Sequence, residues 1–123
     1  MNKVLIVDDE KETVEFLKNF LVRRRNIKVL CATNAKEAID LFTKERPELV
    51  FLDIRMDMPE DGFIVLKKIR EVANEEEAKV VMLTAKEDRS AVVKSKRLGA
   101  QEYLIKPIDL MAFDKLVSYY LKK

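Results

Sequence analysis

The chain of 123 residues has no histidine, one cysteine, two glycines and three prolines. Without histidine there is no Ser-His-Asp or Cys-His catalysis, no imidazole metal ligand, and no phosphohistidine on this chain. A single cysteine, Cys31, excludes an internal disulfide and a cysteine-rich zinc site. At the end of an apolar run it reads as a small core residue. Gly62 and Gly99 cannot supply either of the two common glycine-rich nucleotide cradles, GxxxxGKS/T or GxGxxG. Long apolar runs are missing too. MNKVLIVDDE holds four apolar residues before two acids, which makes neither a signal peptide nor a membrane span. Charge of one sign is also lacking. Lys plus Arg number 24 and Asp plus Glu 22, a net of +2, which argues against a dedicated nucleic-acid binder. The one compact basic run, Arg23 to Arg25, reads as solvated charge complementing a helix end. The default compartment left by these absences is the cytoplasm.

What is present is an alternation of two segment types. Short apolar runs occur at Val4–Val7, Ile27–Cys31, Leu49–Leu52, Val80–Leu83 and Tyr103–Ile105. They are mostly continuous rather than alternating, as expected of strands buried on both faces of a parallel sheet. Between them lie helical stripes. These are Val14, Leu17, Leu21; then Ala35, Ala38, Ile39, Phe42; then Val65, Ile69, Val72; a weaker Ala91, Ser95, Leu98; and Leu110, Phe113, Val117, Tyr120. Asn34 with Glu37 predicts a capping box, and Asp61, Asp88 and Asp109 are expected N-caps. Five β-α units specify a parallel sheet with helices on both faces, joined by right-handed crossovers. They suit the flavodoxin-like doubly wound strand order 2-1-3-4-5.

In such sheets the ligand site lies beyond the carboxyl ends of the strands, where the strand order switches. Asp8 and Asp9 follow the first apolar run, Asp53 the third, Thr84 the fourth, and Lys106 with Pro107 the fifth. The first and third strands are neighbours in this order, so Asp8, Asp9 and Asp53 must converge. At about 4 Å and an effective dielectric near 20, each like-charge pair costs roughly 4 kcal/mol. Either the carboxyl pKa values rise or a cation binds. With oxygen donors only, the ion is hard, Mg²⁺ or Mn²⁺. Together with the Lys106 ammonium it balances three negative charges. This set suits phosphoryl chemistry, with a carboxylate nucleophile and a Thr84 hydroxyl donor.

These residues, in the pieces VLIVDDE, ELVFLDIRM, VVMLTAKED and LGAQEYLIKPID, resemble the receiver domain of two-component response regulators over essentially the whole chain. The resemblance implies that residues 1–123 are one receiver domain with no output domain in the chain. Asp53 would be the phosphoacceptor. Asp9 would ligate Mg²⁺ directly and Asp8 mainly through water, with the Arg55 backbone carbonyl as a further ligand. Lys106 would pair with the phosphoryl group, and its bond to Pro107 would be cis. Thr84 and Tyr103 would be the switch pair, acting on the face made by the fourth helix, fifth strand and fifth helix. Expected partners are a sensor histidine kinase or phosphotransfer protein and a downstream target or output domain meeting that face. Neither nucleic acid nor membrane is an expected partner. The chain would accept a phosphoryl group and dephosphorylate itself, and would not be a metabolic enzyme.

Three rivals remain at this stage. They are an aspartyl-phosphate phosphatase, a flavin-binding module of the same sheet order, and a phosphorylation-independent adaptor. A phosphatase would need a cap and a nucleophile after its first strand. A flavin module would need a Ser/Thr/Gly-rich loop where DDEKET stands. The acidic set argues against the adaptor.

The sequence departs from the family pattern in three places. Met56 is followed by Asp57 before Met58-Pro59, so the loop after Asp53 is one residue longer than usual. Arg55 and Lys86 each stand two residues after a site residue, at positions that tune phosphoryl lifetime in the family. Gln101-Glu102 stand where DNA-binding members often carry two acids, and the fifth helix lacks their arginine partner, so a monomer or weak dimer is expected. Asp57 adds negative charge beside the site, so Asp57→Ala is expected to change metal affinity or dephosphorylation rate. Titration with Mg²⁺ and phosphate release measure the two, and no change in either would contradict this reading.

Overall fold

The computed structural model describes residues 2–24, 26–85 and 88–121. Strands and helices alternate as β1 (Asn2–Val7), α1 (Lys11–Leu21), β2 (Ile27–Ala32), α2 (Ala35–Glu45), β3 (Leu49–Asp53), α3 (Asp61–Val72), β4 (Lys79–Thr84), α4 (Arg89–Arg97), β5 (Glu102–Ile105) and α5 (Leu110–Tyr120). The sheet is parallel throughout, in the order β2-β1-β3-β4-β5. Each apolar run of the sequence became a strand, extended by no more than two residues at an end.

Side-chain alternation divides the core in two. Leu5, Val7, Val50, Leu52, Val80 and Met82 meet α2, α3 and α4 on one face. Val4, Ile6, Leu49, Phe51, Val81 and Leu83 meet α1 and α5 on the other. Each fully buried Leu, Ile or Phe contributes roughly 1.5–3 kcal/mol. Phe113 of α5 packs on Phe51 at 4.6 Å between ring centroids and carries Phe20 at 6.0 Å. The interior strand β3 is buried along its whole length, whereas the edge strand β5 alternates half-buried and exposed. Tyr103 and Ile105 occupy its outer positions.

Capping follows the sequence in three helices. Asn34 accepts from Glu37 N at 2.9 Å, Asp88 from Ala91 N and Asp109 from Met111 N, each at 3.3 Å. The Glu37 carboxylate returns to Thr33 N at 2.8 Å, one residue ahead of the cap. The start of α3 differs from expectation. Glu60 is its N-cap, and Asp61 is the first helical residue. The Asp61 carboxylate is buried and accepts from Met58 N at 2.9 Å, closing the loop instead of the helix. Val72 lies outside the core, because Phe63, Leu66 and Ile69 fill the inner face of α3. In α4 only Ala91 and Ser95 are buried, and the Ser95 hydroxyl donates to Ala91 O at 2.7 Å. The basic run is not wholly solvated, since Arg24 pairs with Asp114 of α5. Arg25 lies outside the described residues.

Between β4 and β5 the chain turns through Gly99, at φ +105°, against Arg70 of α3. Arg70 donates to Gly99 O at 2.9 and 3.1 Å and to Gln101 Oε1 at 3.2 Å. Gln101 Oε1 also accepts from Val80 N at 2.7 Å, so this side chain extends the sheet pairing at the start of β4.

One close approach seats α3 against the carboxyl end of β3. Gly62 N donates to Ile54 O at 2.8 Å. A Cβ at Gly62 would lie 2.8 Å from Ile54 O and closer still to Asp53 O, all backbone. Gly62→Ala is therefore expected to destabilise the fold by about 1–3 kcal/mol. Urea unfolding of the two proteins measures this, and equal midpoints would show that α3 can retreat without cost.

Candidate functional site

Strand register sets the geometry of the site. Val7 pairs with Leu52, so the next residues, Asp8 and Asp53, stand level at the ends of adjacent strands. Asp53 pairs with Leu83, which puts Thr84 one step further out on the next strand. Thr84 pairs with Ile105, and Lys106 follows. The Lys106 N–H donates to Thr84 O at 2.8 Å, continuing the ladder by one bond. The Lys106–Pro107 peptide is cis.

Asp8 and Asp53 are buried, while Asp9 is exposed at the rim. One carboxylate oxygen from each of the three lies within 4.8 Å of the others. Lys106 Nζ is 2.8 Å from Asp8 Oδ2 and 3.3 Å from Asp53 Oδ1. Glu10, which sequence reasoning did not single out, stands 3.6 Å from the same ammonium at the surface. Asp8 Oδ1 accepts from Glu10 N at 2.9 Å, which fixes that carboxylate. Asp8 Oδ2 is buried and receives no well-directed hydrogen bond; it faces the ammonium as an ion pair.

The electrostatics follow from burial and crowding. Asp53 is pushed up from its ordinary 3.8 to about 7, first by burial and then by the charge of Asp8, with Lys106 acting in the opposite direction. Asp9 is also raised, by loss of solvation and then by Asp8. For Lys106, burial works against the charged form. The ion pairs with Asp8 and Asp53 outweigh it, and the pKa rises.

Residues around this trio include further sequence candidates. A cavity of about 180 Å³ is lined by Asp9, Asp53, Arg55, Thr84, Asp88 and Lys106, among others. Thr84 is buried, and its hydroxyl donates to Ala85 O at 3.3 Å rather than to a carboxylate. Tyr103 is not in this cavity. It is 38% exposed on the outer edge of β5, in an adjoining groove with Val93 and Ile105 that shares Thr84 and Asp88 with the cavity. Arg55 sends its guanidinium to Asp88, Nη2 to Oδ2 at 3.1 Å. Asp57 is exposed, and Lys86 lies outside the described residues. Sequence reasoning found Asp88 only as a helix cap. Its place on the cavity wall depends on a contact 33 residues away and leaves no local signal.

The donor set fits a hard divalent cation. Three carboxylate oxygens converge, one of them buried without a directed donor, and no sulfur or imidazole competes.

Comparison with known proteins points one way. A family model described as the response regulator receiver domain matches residues 4–118. Sporulation initiation phosphotransferase F of Bacillus subtilis (strain 168) is 31% identical over 121 residues, covering 98% of this chain and 95% of that protein. An uncharacterized 14.6 kDa protein of Leptolyngbya boryana is 37% identical over 121 residues, covering 95% and 88%. The regulatory protein AtoC of Escherichia coli (strain K12) is 35% identical over 123 residues, which make up 26% of its length. A crystal structure of a two-component response regulator from Clostridium difficile superposes with a TM-score of 0.88 at 31% identity, covering 100% of this chain and 98% of that one.

The raised Asp53 pKa sets a pH dependence in the metal-free protein. Between 3.8 and about 7 the native carboxyl holds a proton that the unfolded one has released. Unfolding free energy therefore falls as pH rises through that window, and the loss is complete above about 7. Asp53→Asn removes this titration. The stability of the variant relative to the parent is expected to be roughly 4 kcal/mol more favourable at pH 8 than at pH 4. Urea unfolding in chelator at both pH values measures the difference. Parallel pH profiles for the two proteins would assign the titration to another group.

Proposed function

The chain belongs to the response regulator receiver domain family, and from that premise we propose that it takes a phosphoryl group from a partner's phosphohistidine onto Asp53. A receiver is a signalling domain of two-component systems, not a metabolic enzyme. The carrying observation is the trio of Asp8, Asp53 and Lys106, with the ammonium 2.8 and 3.3 Å from the two carboxylates beside a small open cavity.

The mechanism follows from what each group can do. An Asp53 carboxylate oxygen attacks phosphorus in line, an O–P bond forms, and the N–P bond to the donor imidazole breaks. The imidazole keeps the bonding electron pair. The chain has no histidine, so the donor is another molecule, a sensor histidine kinase or a phosphotransfer protein. Asp8, Asp9, Asp53 and the Arg55 carbonyl would hold Mg²⁺, or Mn²⁺ in its place. The bound ion supplies charge neutralisation for the phosphoryl oxygens. Lys106 shifts from the carboxylates to the incoming phosphoryl oxygens, keeping its charge throughout. Thr84 turns its hydroxyl from Ala85 O to a phosphoryl oxygen. Attack by water on the phosphorus later breaks the Asp53 O–P bond, releases inorganic phosphate and returns Asp53 to the carboxylate.

Thr84 and Tyr103 would carry the change to the face of α4, β5 and α5, where a downstream target or output domain binds. Exposed Val93, Tyr103, Ile105, Met111 and Tyr119 on these elements support that assignment. Residues 1–123 act as one receiver domain, as a monomer or weak dimer, in the cytoplasm. Among the described residues no helix is long and apolar enough to cross a membrane. The B. subtilis relative, named as a phosphotransferase, supports a phosphoryl-passing role.

Intact mass after incubation with a small acyl phosphate tests the reading. The parent is expected to gain one phosphoryl group with Mg²⁺ and none in chelator, and Asp53→Asn is expected to gain none. A folded parent that gains no mass would instead favour the phosphorylation-independent adaptor.

A further inference from the structure

Charge on the walls of the Asp53 cavity does not balance once a phosphoryl group arrives. In the inner set, Asp8, Asp9 and Asp53 carry three negative charges and Lys106 one positive charge, with Glu10 a further acid at the surface 3.6 Å from that ammonium. A divalent cation closes that difference. An acyl phosphate dianion in place of the Asp53 carboxylate reopens it by one unit. A further cation already lines the cavity. Arg55 stands two residues from Asp53, and its side chain is 66% exposed, so little packing restrains it. Among the described residues its side chain pairs with Asp88, Nη2 to Oδ2 at 3.1 Å.

Asp88 is engaged twice. Its Oδ1 caps α4 through Ala91 N at 3.3 Å, while its Oδ2 holds Arg55. The Arg55–Asp88 pair therefore ties the loop after the phosphoacceptor to the first turn of α4. A second tie lies one turn further on. Lys94 Nζ is 2.8 Å from Glu60 and 4.6 Å from the Phe63 ring centroid. Loss of the first tie would leave α4 pinned near its middle by Lys94 and held in its first turn only by the small buried side chain of Ala91.

We propose that Arg55 is a second cationic ligand for the phosphoryl group on Asp53, and that it is held in reserve by Asp88 until the group arrives. This rests on the phosphoacceptor reading of Asp53. A phosphoryl dianion attracts the guanidinium with twice the charge of the Asp88 carboxylate at equal distance. It also offers paired oxygens that match the planar donor fork. Asp88 keeps Ala91 N and the positive end of α4 as partners, so release does not strand a buried charge. Phosphorylation would thus detach the N-terminal turn of α4 from the β3–α3 loop.

The test is equilibrium binding of beryllium fluoride in Mg²⁺, a phosphoryl mimic, read by calorimetry. The proteins are the parent, Arg55→Gln, Arg55→Lys, Asp88→Asn, and the Arg55→Gln/Asp88→Asn double variant. Asp88→Asn keeps a side-chain oxygen for the α4 cap but loses the charge that holds Arg55. Arg55→Gln is expected to weaken binding roughly tenfold, the size of one charge-assisted hydrogen bond. Arg55→Lys is expected to recover part of that loss. Asp88→Asn is expected to strengthen binding several-fold, and the double variant to match Arg55→Gln alone.

Opposite signs for the two single variants, with the Asp88→Asn gain abolished in the double variant, are the signature. A bridge that merely braced the loop would shift both in the same direction, and that result would overturn the proposal. So would an Asp88→Asn effect that persists without Arg55. A folded parent that neither binds the mimic nor gains phosphoryl mass would sink the phosphoacceptor reading and this proposal with it. A parent that does both, with the variants out of order, would sink this proposal alone.

Discussion

The structure at the carboxyl edge of the sheet depends on one ammonium group. Lys106 Nζ sits between Asp8 and Asp53, two buried carboxylates that the strand register forces to stand level. Neither acid can move away, because each closes a strand packed on both faces by fully buried side chains. The repulsion is therefore not relieved by rearrangement. It appears as the raised Asp53 pKa and as the inward-drawn lysine. A site built this way lowers the stability of the folded chain and gains chemistry in return, and such conflict belongs at functional positions.

From that constraint the surroundings follow. The β3–α3 loop must turn sharply after Asp53, and Gly62 permits it by letting α3 start against the backbone of Asp53 and Ile54. Asp61 accepts from Met58 N within the same loop, bracing the extended Met56–Glu60 stretch. Beyond the loop the supports weaken. α2 and α3 are anchored by Phe42, Phe63, Leu66 and Ile69, all buried. α4 buries only Ala91 and Ser95 and reaches the loop through two charge pairs.

Much of this was legible in the sequence because it is written locally. Continuous apolar runs marked the strands, i, i+3 and i+7 stripes marked the helices, and the polar residues after four of the five runs marked the candidate site. The acids, the lysine and the threonine could be placed without contacts, since sheet order alone brings strand ends together. The unread features are those set by pairs distant in the chain. Arg55 meets Asp88, Arg70 meets Gly99 and Gln101, and Arg24 meets Asp114. Each of these side chains looks like ordinary surface charge until its partner is known. Asp61 failed for a different reason. An acid before an apolar stripe satisfies the capping rule, yet the loop ahead offered it a competing donor in Met58 N. Val72 kept the helical period but lost its place inside to larger neighbours on the same helix.

The contrast between α3 and α4 bears on how a charge at Asp53 can act at a distance. Each large apolar anchor of α3 is worth about 1.5–3 kcal/mol, and several act together. Exposed ion pairs such as Arg55–Asp88 and Lys94–Glu60 are worth about 0–1 kcal/mol each. One added negative charge at Asp53, on the cavity that Arg55 also lines, acts at about 4–8 Å and an effective dielectric near 20 with a few kcal/mol. That is too little to unseat α3 and ample to compete with the Arg55–Asp88 tie on α4. The sheet edge is rigid because its strands are locked by packing. α4 is held more lightly, by two small buried side chains and by ties of about the size of that interaction. Replacing Ala91 or Ser95 by a large apolar side chain that found a seat in the core would strengthen the fold and remove that match, which gives a physical reason for the sparse stripe on this helix.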